Sequence, residues 1–347
     1  MQGKMKAVLM PEIRKMEIIQ LDIPQIKVDE VLIKVKHIGI CGSDVHYYEY
    51  GRIGDFVVEK PIILGHEFAG EVVERGDLVK HLKPGDKITV EPGKPCGKCK
   101  YCMAGDYNLC PDMVFMATPP VDGCLSEYVA YPAHLCFKLP DNMSTVDGAL
   151  VDPVAVGYHA AFQGGAKVGK SAIVLGAGCI GLMSMMALQS TGVSPVYITD
   201  MVGSRLIKAK ELGAAGVYGA WAADYIEKAK ADLNDEGFDI VVETAGSPHT
   251  IRQSTKLVKR GGVIVLVGMS PNSENIVDTA ELMAKEAAVT TVFRYKNIWP
   301  IAISAISNGN FPVSKIVSAT YPFEKTQEAF ERCVNDKENV IKVVIEF

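Results

Sequence analysis

No segment of this 347-residue chain carries a cluster of basic residues; the formal net charge is −5 and the sequence pI about 5.9. That excludes nucleic acid and anionic membrane surfaces as natural partners and leaves a small molecule as the expected one. A membrane-spanning run is also missing. The only long uncharged stretch, residues 171–199, is interrupted by Gly176, Gly178, Gly181, the polar Gln189-Ser190-Thr191-Gly192 and Pro195, so it does not supply some 20 apolar positions. It reads instead as strand, turn, helix and strand. No apolar signal peptide follows Met1, and 9 cysteines spread over 347 residues are too sparse for a secreted disulfide framework. A cytoplasmic protein is expected. Tandem repeats and low-complexity tracts are absent as well.

What is present divides near residue 150. A chain of 347 residues exceeds one comfortable core and suggests about two domains. Before residue 150, short apolar segments alternate with polar residues: Val31, Ile33 and Val35 with Lys34 and Lys36, and Pro84-Gly85-Asp86 ahead of Ile88-Thr89-Val90. This is the texture of an antiparallel barrel or sandwich. After residue 170, Ala172 to Leu175, Val196 to Thr199, Ile240 to Glu243 and Val263 to Val267 read as strands, the first three each followed by a helical pattern. Such βαβ repetition implies a parallel sheet and an α/β class. The last sixty residues return to mixed texture and end in the strand-like Lys342 to Ile345.

Cys96, Cys99, Cys102 and Cys110 fall within fifteen residues as C-x2-C-x2-C-x7-C. Four thiolates at this spacing close a tetrahedron around one soft cation, and a closed structural zinc is the reading we adopt. An iron–sulfur cluster competes through Cys110-Pro111, but its sequence run requires a three-residue last gap. Free thiols in this polar loop, beside Gly97, Lys98 and Lys100, would be exposed and oxidisable.

Gly176-Ala177-Gly178-Cys179-Ile180-Gly181 matches G-x-G-x-x-G between an apolar strand and a helical run, with Asp200 ending the next strand. Gly176 allows the tight turn, Gly178 the approach of a pyrophosphate and Gly181 close helix packing, so that phosphates face a helix N-terminus. Asp200 accepts hydrogen bonds from the adenosine ribose and repels a 2′-phosphate, which favours NAD over NADP. Arg205, also a candidate cofactor-site residue, argues the other way if it meets that phosphate. It is read here as a solvated first-turn charge of a helix from Ser204 to Leu212.

Cys41-Gly42-Ser43-Asp44-Val45-His46 and Gly65-His66-Glu67 place a thiol, an imidazole and a carboxylate on two loops, ligand types that catalytic zinc accepts. With Gly39-Ile40-Cys41-Gly42-Ser43-Asp44, the cysteine loop, the glycine fingerprint and Phe293-Arg294-Tyr295 in this order, the chain resembles the zinc-containing medium-chain dehydrogenases, and within them the sorbitol or polyol dehydrogenases.

The resemblance implies a Rossmann doubly wound parallel sheet over 151–287 and a GroES-like antiparallel β-barrel catalytic domain over 1–150 and 288–347. The structural zinc loop spans 93–112, and the active site is expected in the cleft between the domains. It implies catalytic zinc at Cys41, His66 and Glu67, with Asp152 a further carboxylate near the metal where polyol dehydrogenases usually carry Glu; Asp152 is one methylene shorter. Ser43 then links the substrate hydroxyl to the nicotinamide ribose and His46 passes the proton to water; on residue type alone, a turn hydroxyl and a surface imidazole are equally good readings. Tyr47, Phe115, Thr118, Arg294 and Tyr295 are implied as substrate-binding, and Ile180, Val267 and Phe293 join the cofactor site. The implied activity is oxidation of a sugar alcohol such as sorbitol or xylitol at C2 to a ketose, with two Zn2+ per chain and NAD. Threonine, a butanediol or a sugar-alcohol phosphate are alternative substrates, and a dinucleotide-binding protein without catalysis is the reading from another class. Oligomers are common in the family that the chain resembles, so a homo-oligomer, with a tetramer as the guess, is the expected assembly.

Overall fold

A computed structural model describes residues 2–270 and 274–347. The chain forms two compact units, Met1–Asp152 with Trp299–Phe347, and Pro153–Ile298.

Among the described residues of the first unit, a seven-stranded sheet runs in the order Cys136–Lys138, Lys87–Val90, Glu67–Arg75, Glu30–Gly39, Lys342–Glu346 and Val317–Pro322, with Tyr128–Pro132 also paired to Glu30–Gly39. All of its pairs are antiparallel except the last, between Val317–Pro322 and Lys342–Glu346. The alternation seen in the sequence is real: Val31, Ile33 and Val35 are fully buried and Lys34 is exposed. Leu32 on the opposite face is buried too, against Met5 and Ile23. Each such side chain removed from water contributes about 1.5–3 kcal/mol. In the register of Glu30–Gly39 with Glu67–Arg75, Gly39 stands opposite Glu67. The sheet therefore carries the chain into the Cys41 loop at the same end as His66 and Glu67.

The second unit is built on a six-stranded parallel sheet, in the order Gly216–Gly219, Val196–Asp200, Ala172–Leu175, Phe238–Glu243, Val258–Leu266 and Ala288–Thr291. Numbered along the chain, this is 3-2-1-4-5-6, the doubly wound order whose ligand crevice opens where the direction of winding reverses. Ala172–Leu175 is buried throughout, as a strand covered by helices on both faces must be. Two of these strands carry only weak sequence signals. Gly216–Gly219 has a glycine at each end, and Ala288–Thr291 is short and largely exposed. The second corrects a boundary. Residues 288–298 belong with the parallel sheet rather than the barrel, because Ala288 to Thr291 pair in register with Val263 to Leu266. Among the described residues, no helix is long and apolar enough to cross a membrane.

Candidate metal centres and dinucleotide site

Cys41 immediately precedes the helix Gly42–Tyr50 and is its N-cap. Its amide donates to Asp44 Oδ2 at 3.1 Å, while Asp44 Oδ1 accepts from the Gly65 amide at 3.0 Å and lies 3.4 Å from His66 Nδ1. One buried carboxylate thus joins the two loops and fixes the imidazole with Nε2 left for another partner, the arrangement that orients histidine ligands around metals. Burial works against ionisation of Asp44, but His66 and the amides of Gly65 and Cys41 outweigh it and hold the carboxyl below its ordinary range. Burial likewise opposes a charge on His66, and Asp44 with Cys41 raises its pKa well above the ordinary value. An imidazole held so close to a carboxylate and a thiol is poised to exchange its proton for a cation.

The donor atoms of Cys41, His66 and Glu67 all lie within 4.8 Å of one another, and His66 and Glu67 are buried. A soft thiol, an imidazole and a carboxylate fit a catalytic zinc with a position left for substrate. Behind Glu67 lies Lys342, 3% exposed, whose ammonium contacts Glu67 Oε2 and donates to the Ile40 carbonyl at 3.0 Å. Asp152 is buried but stands outside the three-residue cluster.

The remaining expected residues of this unit differ in their surroundings. Phe115 sets its ring edge-on to His66 at 5.5 Å, and the Thr118 amide closes a turn onto the Phe115 carbonyl at 3.2 Å. Tyr47 is buried, Ser43 half-buried, and His46 exposed with its ring 5.6 Å from Tyr50. Arg294 and Tyr295 belong to the second unit. There Arg294 adopts φ +57° with its guanidinium over the Phe293 ring at 4.7 Å, and Tyr295 is buried.

The four loop cysteines also bring their sulfurs within 4.8 Å of one another. Cys99 and Cys102 Sγ are 3.4 Å apart, and Cys96 and Cys102 Sγ 4.0 Å; a zinc–thiolate tetrahedron has edges of about 3.8 Å. Backbone amides already point at the sulfurs: Cys96 N–H donates to Cys110 at 3.3 Å, Cys99 N–H to Cys96 at 3.4 Å and Cys102 N–H to Cys99 at 3.5 Å. The amides of Lys98 and Cys99 pull the Cys96 thiol down to about 7. The site is closed, with no protein-free corner for substrate.

In the second unit, Gly176 turns the chain out of its strand at φ +105°, and Gly178 caps the helix Cys179–Ser190. A Cβ on Gly181 would collide with the Gly176 carbonyl oxygen, so only glycine lets this helix start so close to the strand. Asp200 ends its strand with Oδ2 accepting from the Ala177 amide at 2.6 Å and Oδ1 from the Val202 amide at 2.8 Å. Each carboxylate oxygen keeps a further lone pair for a ribose hydroxyl. The cradle fits a dinucleotide. Arg205 departs from its expected solvated position: it is half-buried, and its Nη1 approaches to 3.9 Å of where a Gly178 Cβ would stand. Ile180 lies in the first turn of the helix, and Val267 follows the fifth strand of the sheet, its amide bonded to the Glu243 carbonyl at 2.8 Å.

Asp44 and Lys342 are the two residues of the metal site that sequence reasoning did not assign. Their signals were weak: an acid at the third helical position after a capping cysteine, and a lysine at the head of a strand whose next three residues are apolar.

A parallel dinucleotide fold together with a Cys/His/carboxylate centre and a closed four-cysteine centre defines a zinc-dependent alcohol oxidoreductase. Known proteins agree. The alcohol dehydrogenase GroES-like domain matches residues 27–141 and the zinc-binding dehydrogenase domain residues 179–308. The chain is 47% identical over 335 residues to an uncharacterized zinc-type alcohol dehydrogenase-like protein, YdjJ, of Escherichia coli K12, covering 95% of each chain. It is 40% identical over 341 residues to the sorbitol dehydrogenase of Bacillus subtilis, covering 98% of this chain and 97% of the other. A crystal structure of an Escherichia coli oxidoreductase/dehydrogenase of unknown specificity superposes with a TM-score of 0.95 at 45% identity, covering 99% of both chains. The chain belongs to the zinc-containing medium-chain alcohol dehydrogenase family, and its relatives include sorbitol dehydrogenases.

Proposed function

We propose that this enzyme oxidises a C5 or C6 sugar alcohol, such as sorbitol or xylitol, at the C2 hydroxyl to the ketose, with NAD as hydride acceptor. The observation that carries the reading is the Cys41, His66 and Glu67 cluster with Phe115 edge-on to His66, in a chain 40% identical to a sorbitol dehydrogenase over 98% of its length. Cys41, His66 and Glu67 would hold a zinc whose Lewis acidity would lower the pKa of a bound hydroxyl, and the glycine turn with Asp200 would hold NAD, which would supply the hydride-accepting chemistry.

The chain's own groups do the rest. Asp44 keeps His66 in one tautomer and orientation. Ser43 and His46, three residues apart in the helix Gly42–Tyr50, share a face. Ser43 Oγ would accept the hydroxyl proton as it releases its own toward the solvent side, where the exposed imidazole of His46 would pass a proton to water. We assign recognition of the neighbouring hydroxyls to Tyr47, Phe115, Thr118, Arg294 and Tyr295. Donors such as Arg294 and Tyr295 penalise a substrate that leaves them unpaired, which disfavours simple apolar alcohols. Asp200 selects the unphosphorylated ribose of NAD.

Turnover of a panel of polyols and simple alcohols, each with NAD and with NADP, tests the proposal. Sorbitol or xylitol with NAD is expected to give the highest kcat/KM; equal or better turnover of ethanol or benzyl alcohol would contradict it.

A further inference from the structure

The chain has two tryptophans in opposite surroundings: Trp299 is 1% exposed and Trp221 58% exposed. An isolated exposed aromatic carries no message by itself, but Trp221 is placed by its neighbours. It follows the strand Gly216–Gly219, whose last residue, Gly219, pairs in parallel register with Asp200. Paired residues of neighbouring strands direct their Cβ atoms to the same face of the sheet. A Cβ at 219 would therefore project beside the Asp200 side chain, and there it would overlap the six-membered ring of the Trp221 indole. Glycine weakens a strand and marks the close approach of another group; here that group is the indole.

Two backbone bonds set the turn that carries the ring. The Ala220 amide donates to the Asp200 carbonyl at 2.9 Å, and the Ala222 amide closes a turn onto the Gly219 carbonyl at 3.0 Å, folding Trp221 back over Gly219. The indole thus lies on the same sheet face, and at the same strand ends, as the carboxylate that closes onto the glycine turn.

We propose that Trp221 is an aromatic wall of the adenosine half of the cofactor site, packing against the adenine and ribose of NAD. The inference rests on the dinucleotide reading of the glycine turn and Asp200. Stacking on an aromatic side chain favours any purine through its π-face. It should act on adenosine-bearing ligands alone.

The test is a titration of the zinc-loaded enzyme with NAD, AMP and nicotinamide mononucleotide, followed by calorimetry and by tryptophan emission with acrylamide quenching. NAD and AMP are expected to shield the exposed emitter from acrylamide, nicotinamide mononucleotide to leave it accessible, and Trp221→Phe to remove the response. Trp221→Ala should weaken NAD and AMP about tenfold, and Trp221→Phe should restore most of that loss. Gly219→Val, which keeps the tryptophan but takes its place, should weaken both ligands similarly with zinc content and melting temperature retained. NAD or AMP binding by calorimetry with unchanged acrylamide accessibility of Trp221, or wild-type NAD affinity in Trp221→Ala, would overturn the proposal while leaving the dinucleotide reading intact. Failure of the wild-type enzyme to bind NAD and AMP at all would overturn both.

Discussion

Cys96, Cys99, Cys102 and Cys110 come from a single fifteen-residue loop, whereas Cys41 caps a helix and His66 and Glu67 open the end of a strand twenty-five residues later. The loop sulfurs are approached chiefly by the loop's own amides and three of the four cysteines are half-exposed. In the second cluster His66 and Glu67 are buried and Cys41 is half-exposed, and it relies on groups brought from elsewhere: Asp44 between the two loops, and Lys342, which reaches Ile40 across 302 positions of sequence. A metal that braces a loop needs only local spacing. A metal that does chemistry needs a fold to orient its ligands and leave one side open.

Breaking the buried cluster should have the largest effect. Cys41→Ser is expected to lower kcat/KM about a thousandfold or more, the several kcal/mol that a Lewis-acid metal contributes to the transition state. Metal analysis of the same variant should still find the zinc of the four-cysteine loop. Next comes Lys342→Met, which leaves Glu67 buried without its counter-charge. Denaturant unfolding of the chelator-treated protein should show a loss of about 3–5 kcal/mol, smaller once zinc is restored, while the cysteine loop keeps its metal. Asp44→Asn retains the shape but loses the carboxylate behind His66; zinc affinity or activity should fall about 10- to 100-fold, read by chelator competition and steady-state kinetics.

The smallest expected effect lies in the second unit, where no metal cluster occurs among the described residues. Burial, reinforced by the Lys296 charge, lowers the His159 pKa to about 4, below its unfolded value of about 6.5. Between these values the unfolded chain binds more protons, so stability present above about pH 6.5 is lost as pH falls toward 4, on the order of 2 kcal/mol. His159→Gln should flatten that part of the pH–stability curve, measured by thermal unfolding.

Legibility followed the same contrast. The four-cysteine loop and the glycine turn were readable because their geometry is local: a fixed spacing, and a strand leading into a helix. The cysteine, histidine and carboxylate of the open cluster were visible as residue types on two loops, but nothing in the sequence reports that Asp44 bridges them or that Lys342 lies behind Glu67. Both roles arise only when strands distant in sequence meet. The parallel sheet was likewise legible through its long apolar strands, while Gly216–Gly219 and Ala288–Thr291 were hidden, one by glycines of poor strand propensity and the other by exposure on four short residues. Arg205 reads as solvated from helix position alone; its approach to the glycine turn is a tertiary fact.

The division of labour between the two centres is tested most directly by counting zinc in Cys99→Ser while measuring NAD binding and turnover on the same sample. One zinc per chain lost and one kept, with NAD bound and catalysis largely retained, is the predicted result. Loss of turnover in a folded, NAD-binding chain that still holds the zinc of Cys41, His66 and Glu67 would contradict it.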